Sequence, residues 1–348
     1  MTSKATSIDI AYKAGVSQST VSRALRNSPL VNLETRQRIQ AIAKELNYKV
    51  DKNASNLRTQ NSYTLALLIC EDPTNDESLI NPFFLSMLGS ITRATAQQGY
   101  DLLVSFQQLS SDWHADYEDS NKADGIILLG YGDYVDYGHK LQKLLEQNTH
   151  FVIWGAEPNH KEVLSIGCDN HQGGVIATEH IISLNKQNIA FLGDASEHSP
   201  EFRDRYLGHV DALKKVAIKA NKNIQFDAIS TESSGFDAAI NLLDSGHPFE
   251  AIFAASDLIA IGAIRALKQR GVRVPEDIVV VGYDDIPVAS FANPALTTVR
   301  QNTKLAGEIL VESLLKLIRG KEVAPQLIPT NLVVRQSCGT TEQEQEQS

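Results

Sequence analysis

Short apolar runs that alternate with helical stretches fill most of the chain after residue 62. The runs are TLALLIC, DLLVSF, DGIILLG, HFVIWG, NIAFLG, AIFAAS and IVVVGYDD, and segments such as FLSMLGSITRATAQQG and LIAIGAIRALKQRG separate them. Strands of this length and apolarity are typical of sheets buried on both faces. Alternation over about 230 residues predicts an α/β fold with parallel sheets covered by helices. So many strands favour two similar lobes, with a ligand cleft at the carboxyl ends of the strands.

The first 48 residues have a different pattern, that of three short helices. Residues 7–14 predict the first helix, and Gly15 predicts a turn after it. Ser17 can cap a second helix, and Asn32 can cap a third helix over residues 33–47. The apolar positions expected to face inward are Ile8, Ile10, Ala11, Val21, Ala24, Leu25, Ile39, Ile42, Ala43 and Leu46. A tight glycine turn between the first two helices predicts a helix-turn-helix unit.

Charge divides the chain in the same way. The formal net charge is −10, yet residues 1–61 hold 10 Lys and Arg against 4 Asp and Glu, and the remainder holds 22 against 38. A basic head on an acidic body predicts that only the head contacts a polyanion. The start has no apolar core and no cleavage site for secretion, no run is long enough to span a membrane, and the three cysteines are widely spaced. We therefore expect a cytoplasmic protein with reduced thiols.

Signatures of catalysis are absent from the sequence. It has no phosphate loop, no G-x-S-x-G, no H-E-x-x-H and no C-x-x-C, and its nine histidines are scattered. We expect no enzyme activity, no cofactor and no metal site. Asp284 and Asp285 are adjacent at a strand end, where neighbouring side chains diverge, so a single acceptor reaching the cleft is expected.

Five residues at strand ends, or on the loops after strands, carry the chemistry of sugar binding. They are Trp154, Arg205, Ser256, Asp257 and Asp284. Carboxylates and guanidinium groups hydrogen-bond neighbouring hydroxyls, and an aromatic ring packs on the apolar face of a sugar. Each residue alone also has an ordinary structural explanation, such as core packing, a surface ion pair or a helix N-cap. Their common location favours a polyol site.

Two sets of motifs resemble one family. IDIAYKAGVSQSTVSRAL, VNLETRQRIQAIAKELNY and NASNLRT resemble the DNA-binding head of LacI/GalR-type repressors. NPFF, DNHQGG, RYLGH, AASD, VVGYDD and LTTVRQN resemble its periplasmic-binding-protein-like core. The resemblance implies a helix-turn-helix domain over 1–50, a hinge helix over 51–62 and an effector-binding and dimerisation core over 63–339. It implies one lobe over about 63–162 and 292–321, and a second over about 163–291 and 322–339. The polar residues 340–348 predict a disordered tail.

The resemblance implies that helix 18–26 lies in the major groove, with Gln18 and Ser19 as the base-reading pair. Gln18 paired with adenine is one physical possibility, and Arg23 is implied to reach a guanine or a phosphate. The full set of implied DNA-binding residues is Ser17, Gln18, Ser19, Thr20, Ser22, Arg23, Asn27, Asn53, Ala54 and Leu57.

Residues 53–58 lie in a polar stretch that composition alone would describe as a tether. They resemble a hinge helix that forms on operator DNA, with Leu57 as an apolar wedge in the minor groove. The family usually has proline at the position of Val50, so the entry to the hinge departs from the pattern.

In the core, the implied effector-binding residues are Phe83, Trp154, Arg205, Ser256, Asp257 and Asp284. The resemblance implies a cytoplasmic, nucleoid-associated bacterial repressor of carbohydrate-utilisation genes, a homodimer on palindromic operator DNA that a small sugar effector releases or modulates. Three alternatives stay open: a regulator that responds to a purine or nucleoside, a global regulator driven by a phosphocarrier protein, and a free sugar-binding or sugar-metabolising protein.

Overall fold

The structure is a computed structural model of the chain that describes residues 5–48, 61–69, 80–107, 111–130, 134–156 and 163–339. The chain divides into two compact units, Met1–Ser62 and Tyr63–Ser348. None of the described helices is both long enough and apolar enough to span a membrane.

The N-terminal unit contains three helices, whose first residues follow polar caps. The helices are α1 (Ser7–Ala14), α2 (Gln18–Leu25) and α3 (Leu33–Glu45). Thr6 and Asp9 form a reciprocal capping box at the start of α1, and the Ser17 and Asn32 side chains each accept a hydrogen bond from the first turn of the next helix. Gly15 ends α1 at φ 62°, a left-handed conformation that glycine adopts without a steric cost.

A small apolar core joins the three helices. Its buried members are Ile10, Ala11, Ala14, Val21, Ala24, Val31, Ile39 and Ala43, with Leu25, Ile42 and Leu46 partly buried against them. The prediction that Ile8 faces inward is wrong, because its side chain is 63% exposed. Residues two apart on a helix are about 200° apart, so Ile8 points away when Ile10 points to the core.

Twelve strands and seven α-helices are described in the C-terminal unit. The strands are β1 (Thr64–Ile69), β2 (Asp101–Phe106), β3 (Ile126–Leu129), β4 (Phe151–Trp154), β5 (Ser165–Cys168), β6 (Ile189–Leu192), β7 (Gln225–Phe226), β8 (Ala251–Ala254), β9 (Val279–Asp284), β10 (Thr297–Arg300), β11 (Gln326–Ile328) and β12 (Asn331–Val333). The helices are α4 (Pro82–Gln97), α5 (Tyr134–Glu146), α6 (Asn170–Ser183), α7 (Pro200–Lys215), α8 (Glu232–Asp244), α9 (Asp257–Gln269) and α10 (Thr303–Ile318).

The strands form two six-stranded sheets, one in each lobe. The order is β11-β5-β4-β3-β1-β2 in lobe 1 and β12-β10-β9-β8-β6-β7 in lobe 2. All pairs are parallel except β10 with β12. The predicted α/β fold with parallel sheets is confirmed.

The predicted lobe limits are wrong at three strands. The residues of β5 were expected in lobe 2, but the strand pairs with β4 in lobe 1. The residues of β10 were expected in lobe 1, but the strand pairs with β9 in lobe 2. The residues of β11 were expected in lobe 2, but the strand pairs with β5 in lobe 1. The chain therefore crosses between lobes after β5, after β10 and again between β11 and β12. Short strands next to crossovers have too few apolar residues for sequence to assign them to a sheet.

Alternate residues of β1 belong to different apolar clusters, which shows that the lobe 1 sheet is covered on both faces. Leu65, Leu67 and Ile69 belong to the large apolar cluster that contains residues of α4 and α10, whereas Ala66 and Leu68 belong to a second cluster with residues of α5. In lobe 2, the helix pairs α6–α7 and α8–α9 pack together and contact the second sheet.

Candidate nucleic-acid interface and effector cleft

A cluster of three hydroxyls lies at the N-terminus of α2. Ser17 Oγ accepts from the Thr20 backbone N–H at 3.2 Å and lies 2.9 Å from Ser19 Oγ and 2.8 Å from Thr20 Oγ1. Ser17 and Ser19 are exposed and Thr20 is half-buried. Hydroxyls held in this way at a helix start can both donate to phosphate oxygens and accept from bases.

Gln18 is the first residue of α2, and it is exposed on the same surface. Its Nε2 donates a hydrogen bond to Ser7 Oγ at 2.7 Å, a contact between the first residues of α2 and α1. Ser7 was not among the residues predicted to act at DNA. Sequence could not indicate this contact, because it depends on how α1 and α2 pack.

Two arginines lie at the C-terminal end of α2. Arg23 is exposed, as predicted for a DNA contact. Arg26 is also exposed, and its guanidinium donates to Ser22 O at 3.2 Å and to Ser22 Oγ at 3.1 Å. Sequence reasoning missed Arg26, although its place three residues after Arg23 on a basic helix was a usable signal.

Asn27 has a structural role beside its predicted DNA contact. It adopts φ 57°, a left-handed conformation that ends α2. Its Oδ1 accepts from Gln40 Nε2 at 2.8 Å, and its carbonyl accepts from Arg36 Nη1 at 3.0 Å. These bonds join the end of α2 to α3.

The hinge predictions concern residues that the structure does not describe. Val50, Asn53, Ala54 and Leu57 all lie between residues 49 and 60, and their assignments stay predictions.

In the C-terminal unit, Arg205 is the central residue of the predicted effector cleft. It is buried on α7, its Nε donates to Asn170 Oδ1 at 2.9 Å, and its Nη1 donates to the Ala255 carbonyl. The guanidinium also lies 3.7 Å from the centroid of the Tyr283 ring. These contacts come from three elements, so they fix the orientation of the guanidinium.

Asp284 faces Arg205 at the carboxyl end of β9. Its Oδ1 lies 3.6 Å from Arg205 Nη1 and accepts from Gln301 Nε2 at 2.6 Å. Burial raises the pKa of Asp284, and the Arg205 charge and the Gln301 amide act to lower it. Asp284 has φ 114°, a region that non-glycine residues rarely adopt. Gln301 was quoted only within a motif and was not predicted as a site residue.

The neighbouring carboxylate points elsewhere, as expected for adjacent residues at a strand end. Asp285 Oδ2 accepts from Arg300 Nε at 2.6 Å, and its Oδ1 accepts from Arg335 Nη2 at 2.7 Å. Of the two carboxylates, Asp284 is therefore the one that contacts Arg205.

Ser256 belongs to a chain of hydrogen bonds that joins the lobes. Ser230 Oγ donates to Ser256 Oγ at 3.0 Å and accepts from Asn81 Nδ2 at 3.1 Å. Asn81 also caps α4 in lobe 1, where its Oδ1 accepts from the Phe83 N–H. Ser256 caps α9 in lobe 2, as the sequence alternative allowed.

Asp257 does not reach the surface of the cleft. Its side chain is fully buried, with Oδ1 accepting from Thr298 Oγ1 and Oδ2 accepting from the Ile286 N–H at 2.8 Å. Burial and the nearby Asp284 charge raise its pKa. Because both oxygens bond to protein groups, the expected direct contact with effector does not fit this geometry, and Asp257 instead positions the loop after β9.

The two aromatic residues predicted to line the cleft, Phe83 and Trp154, are both buried in lobe 1. The rings of Phe83 and Trp154 have centroids 6.2 Å apart with an interplanar angle of 38°. Just after Trp154, the Ala156 N–H donates to Glu201 Oε1 at 3.0 Å. Glu201 is one turn before Arg205 on α7, so the loop that follows Trp154 contacts the helix that carries Arg205.

The residue types brought together here are those of a polyol-binding site. Guanidinium and carboxylate groups bind hydroxyls, and aromatic rings pack on the apolar face of a sugar. In this structure the side chains of Arg205, Asp284, Phe83 and Trp154 are all buried. The described residues contain no group of three His, Cys, Asp or Glu that could hold a metal ion.

Comparison with known proteins agrees with both parts of the chain. Residues 8–51 match the model for bacterial regulatory proteins of the lacI family, and residues 178–338 match a periplasmic binding protein-like domain. The HTH-type transcriptional regulator CelR of Thermobifida fusca is 30% identical over 335 residues, which cover 94% of this chain and 96% of CelR.

Solved structures show the same relationship. The lac repressor dimer bound to operator and the anti-inducer ONPF is 27% identical with a TM-score of 0.83, covering 97% of this chain and 99% of that one. A CelR–cellobiose complex is 29% identical with a TM-score of 0.72, covering 96% and 99%. Over nearly its whole length, this chain belongs to the LacI family of HTH-type transcriptional regulators and is not an enzyme.

Proposed function

We propose that the chain is a repressor of carbohydrate-utilisation genes in the bacterial cytoplasm, bound to the nucleoid at palindromic operators. It binds operator DNA as a homodimer, and a small sugar releases or modulates it. The observation that carries the sugar proposal is the ion pair of Arg205 with Asp284, whose Nη1 and Oδ1 atoms lie 3.6 Å apart. The paired rings of Phe83 and Trp154 in lobe 1 add the aromatic groups that such a site uses. The cellobiose bound to CelR supports the same ligand class.

Exposed apolar residues of the C-terminal unit support the proposed dimer. On the edge strand β2, Leu103 and Val104 are exposed, and in lobe 2 the Phe291 ring is 85% exposed. Burial of such residues in a second copy would remove apolar surface from water. Two linked heads contact two half-sites, which raises both affinity and discrimination. Phe291→Asp should shift the protein towards monomer in sedimentation equilibrium and weaken operator binding.

The proposed mechanism couples the cleft to the heads through lobe closure. A sugar that contacts both lobes favours one lobe arrangement, and a coupling free energy of about 1–3 kcal/mol is typical of such regulators. In this mechanism the hinge helices separate when effector binds. If Leu57 is the minor-groove wedge, Leu57→Ala should reduce operator affinity and DNA bending; unchanged values would contradict that role.

A ligand panel tests the effector class. Mono- and oligosaccharides, nucleobases and nucleosides are each added to the full-length protein, and the thermal midpoint is measured with and without operator. A sugar that shifts the midpoint and changes operator affinity supports the proposal.

The purine alternative uses the same panel, because Phe83 and Trp154 could also stack on a base. A response to purines alone would replace the sugar with a nucleobase effector. A response only to an added phosphocarrier protein would favour a global regulator driven by that partner. Unchanged activity without residues 1–60 would favour a free sugar-binding or sugar-metabolising protein.

A further inference from the structure

The bond between Gln18 and Ser7 determines what the Gln18 amide can offer to a base. The amide has two N–H donors and one acceptor oxygen, and one donor is engaged by Ser7 Oγ at 2.7 Å. The groups left are one N–H and Oε1. Gln18 is exposed at the start of α2, so these two groups are accessible from outside the head.

One donor beside one acceptor fits adenine and not guanine. In the major groove, adenine presents the N7 acceptor and the N6 donor, whereas guanine presents two acceptors, N7 and O6. A free glutamine amide can offer both of its N–H groups to guanine. With one N–H held by Ser7, Gln18 cannot do this, while its acceptor stays available for adenine N6.

Both ends of the bond are fixed by neighbouring caps. At Ser7, the preceding Thr6 and Asp9 form a capping box, with Thr6 N–H and Oγ1 each donating to Asp9 Oδ2 at 2.7 Å. At Gln18, the preceding Ser17 caps α2 through the Thr20 N–H. Since the backbone is fixed at both residues, the bond restricts the amide itself and lowers the entropy that Gln18 loses on binding DNA.

We propose that Ser7 is a specificity-determining positioning residue, which orients the Gln18 amide so that the operator position it contacts is read as adenine in preference to guanine. The proposal rests on the proposed operator binding and adds a residue that selects the base. Ser7 acts here through Gln18, and the test separates this from a contact of its own.

The experiment first selects operator sequences from a random library with the full-length protein. Affinities are then measured for the selected operator and for versions with each base pair replaced, at fixed salt. The proteins are wild type, Ser7→Ala, Ser7→Thr, Gln18→Ala and the double variant Ser7→Ala/Gln18→Ala. Ser28→Ala, elsewhere in the same unit, is the matched control.

Gln18→Ala should identify one position per half-site where adenine is preferred to guanine by roughly 5- to 150-fold in the wild type. Ser7→Ala should reduce that ratio by roughly threefold or more, chiefly by improving binding of the guanine operator. Ser7→Thr keeps the hydroxyl and should keep the ratio, as should Ser28→Ala. In the Gln18→Ala background, Ser7→Ala should have no further effect on it.

Three results with the Ser7 variants would overturn the inference. The first is an unchanged adenine-to-guanine affinity ratio in Ser7→Ala, and the second is an equal loss of affinity at every operator position. The third is a reduction of the ratio by Ser7→Ala that persists in the Gln18→Ala background. A preferred base other than adenine at the Gln18 position would also contradict it. If selection yields no preferred sequence, the proposed operator binding fails first; if a sequence emerges and Ser7→Ala has no effect, only the role of Ser7 fails. Thermal unfolding of each variant controls for folding.

Discussion

Replacement of Arg205 by methionine tests the electrostatics of the cleft most directly. Methionine keeps much of the apolar stem but removes the charge and every hydrogen-bond donor. The losses are the bonds to Asn170 Oδ1 and the Ala255 carbonyl, the ion pair with Asp284 and the contact with the Tyr283 ring. Asp284 is then left as a buried carboxylate with Gln301 as its remaining hydrogen-bond donor from a described side chain.

Removing one partner of a buried ion pair costs about 3–5 kcal/mol, because the other charge stays buried without compensation. That is a large part of the roughly 5–15 kcal/mol by which a folded domain is stable. We therefore expect Arg205→Met to lower the thermal midpoint of the core by about 5–15 °C. It should also abolish the response to effector, while the head still binds DNA at temperatures well below that midpoint.

Asp284→Asn provides the matched rescue. Asparagine has nearly the same volume and no charge, so in Arg205→Met/Asp284→Asn the uncompensated carboxylate is gone. We expect the double variant to be more stable than Arg205→Met by at least about 1 kcal/mol, whereas independent sites would show additive losses.

The direction in which the stability of Arg205→Met changes with pH also follows from Asp284. In the wild type, burial raises the pKa of Asp284 above its ordinary value and the Arg205 charge acts to lower it. Loss of that charge in Arg205→Met should raise the folded-state pKa further, so the stability of the variant relative to wild type should rise as pH falls.

Far-ultraviolet circular dichroism is the suitable measurement, because both tryptophans, Trp113 and Trp154, lie in lobe 1 and their fluorescence would report on that lobe first. Operator binding is measured separately by fluorescence anisotropy. An unchanged midpoint in Arg205→Met would refute the reasoning, as would a double variant whose loss equals the sum of the two single losses.

Three further predictions concern other parts of the core. Burial lowers the pKa of His209 from 6.5 to about 4, so the protein takes up a proton at this residue when it unfolds between pH 4 and 6.5. In urea titrations, the free energy of unfolding should therefore fall by up to about 1.4 kcal/mol per pH unit as the pH is lowered through this range. The decrease should be smaller in His209→Gln. Gly174→Ala places Cβ 2.1 Å from a backbone oxygen of α7 and should cost about 1–3 kcal/mol in thermal unfolding, whereas Gly89→Ala, with open space around it, should be neutral or stabilising. Ser230→Ala removes the interlobe bond to Asn81 and should weaken effector binding roughly 2- to 12-fold in calorimetry.

The elements that sequence predicted well are those with strong local signals. The three helices of the head have polar caps at Thr6, Ser17 and Asn32 and a glycine at the end of α1, so their starts follow from residue types alone. The long apolar strands of the sheet interiors were also predicted. Ile8 was misassigned because a short helix with several apolar residues offers more than one possible inward face.

The elements that sequence missed depend on distant partners. β10, with the sequence TTVR, was not predicted as a strand, and its threonines are buried because Thr298 bonds to Asp257 and Thr297 pairs with the backbone at Arg335. Asp257, at the predicted cleft, also has a role that depends on distant partners. The role of Asp257 follows from its complete burial against Thr298 and Ile286, and no local pattern distinguishes a buried aspartate at a helix start from an exposed one.

The adjacent carboxylates Asp284 and Asp285 relate the cleft to the segments that join the lobes. Asp284 contacts Arg205 and also Gln301, which lies where the chain crosses from β10 towards lobe 1. Asp285 bonds Arg300 at the end of β10 and Arg335 beyond β12. If the proposed effector bonds Asp284, it binds the same carboxylate that accepts from Gln301, and it therefore acts beside a contact of the crossover. Asp285 is the next residue, so the end of β9 is bonded both to Arg205 and to the two arginines on the connecting segments. We therefore expect an effector that shifts the end of β9 to act on the connections between the lobes.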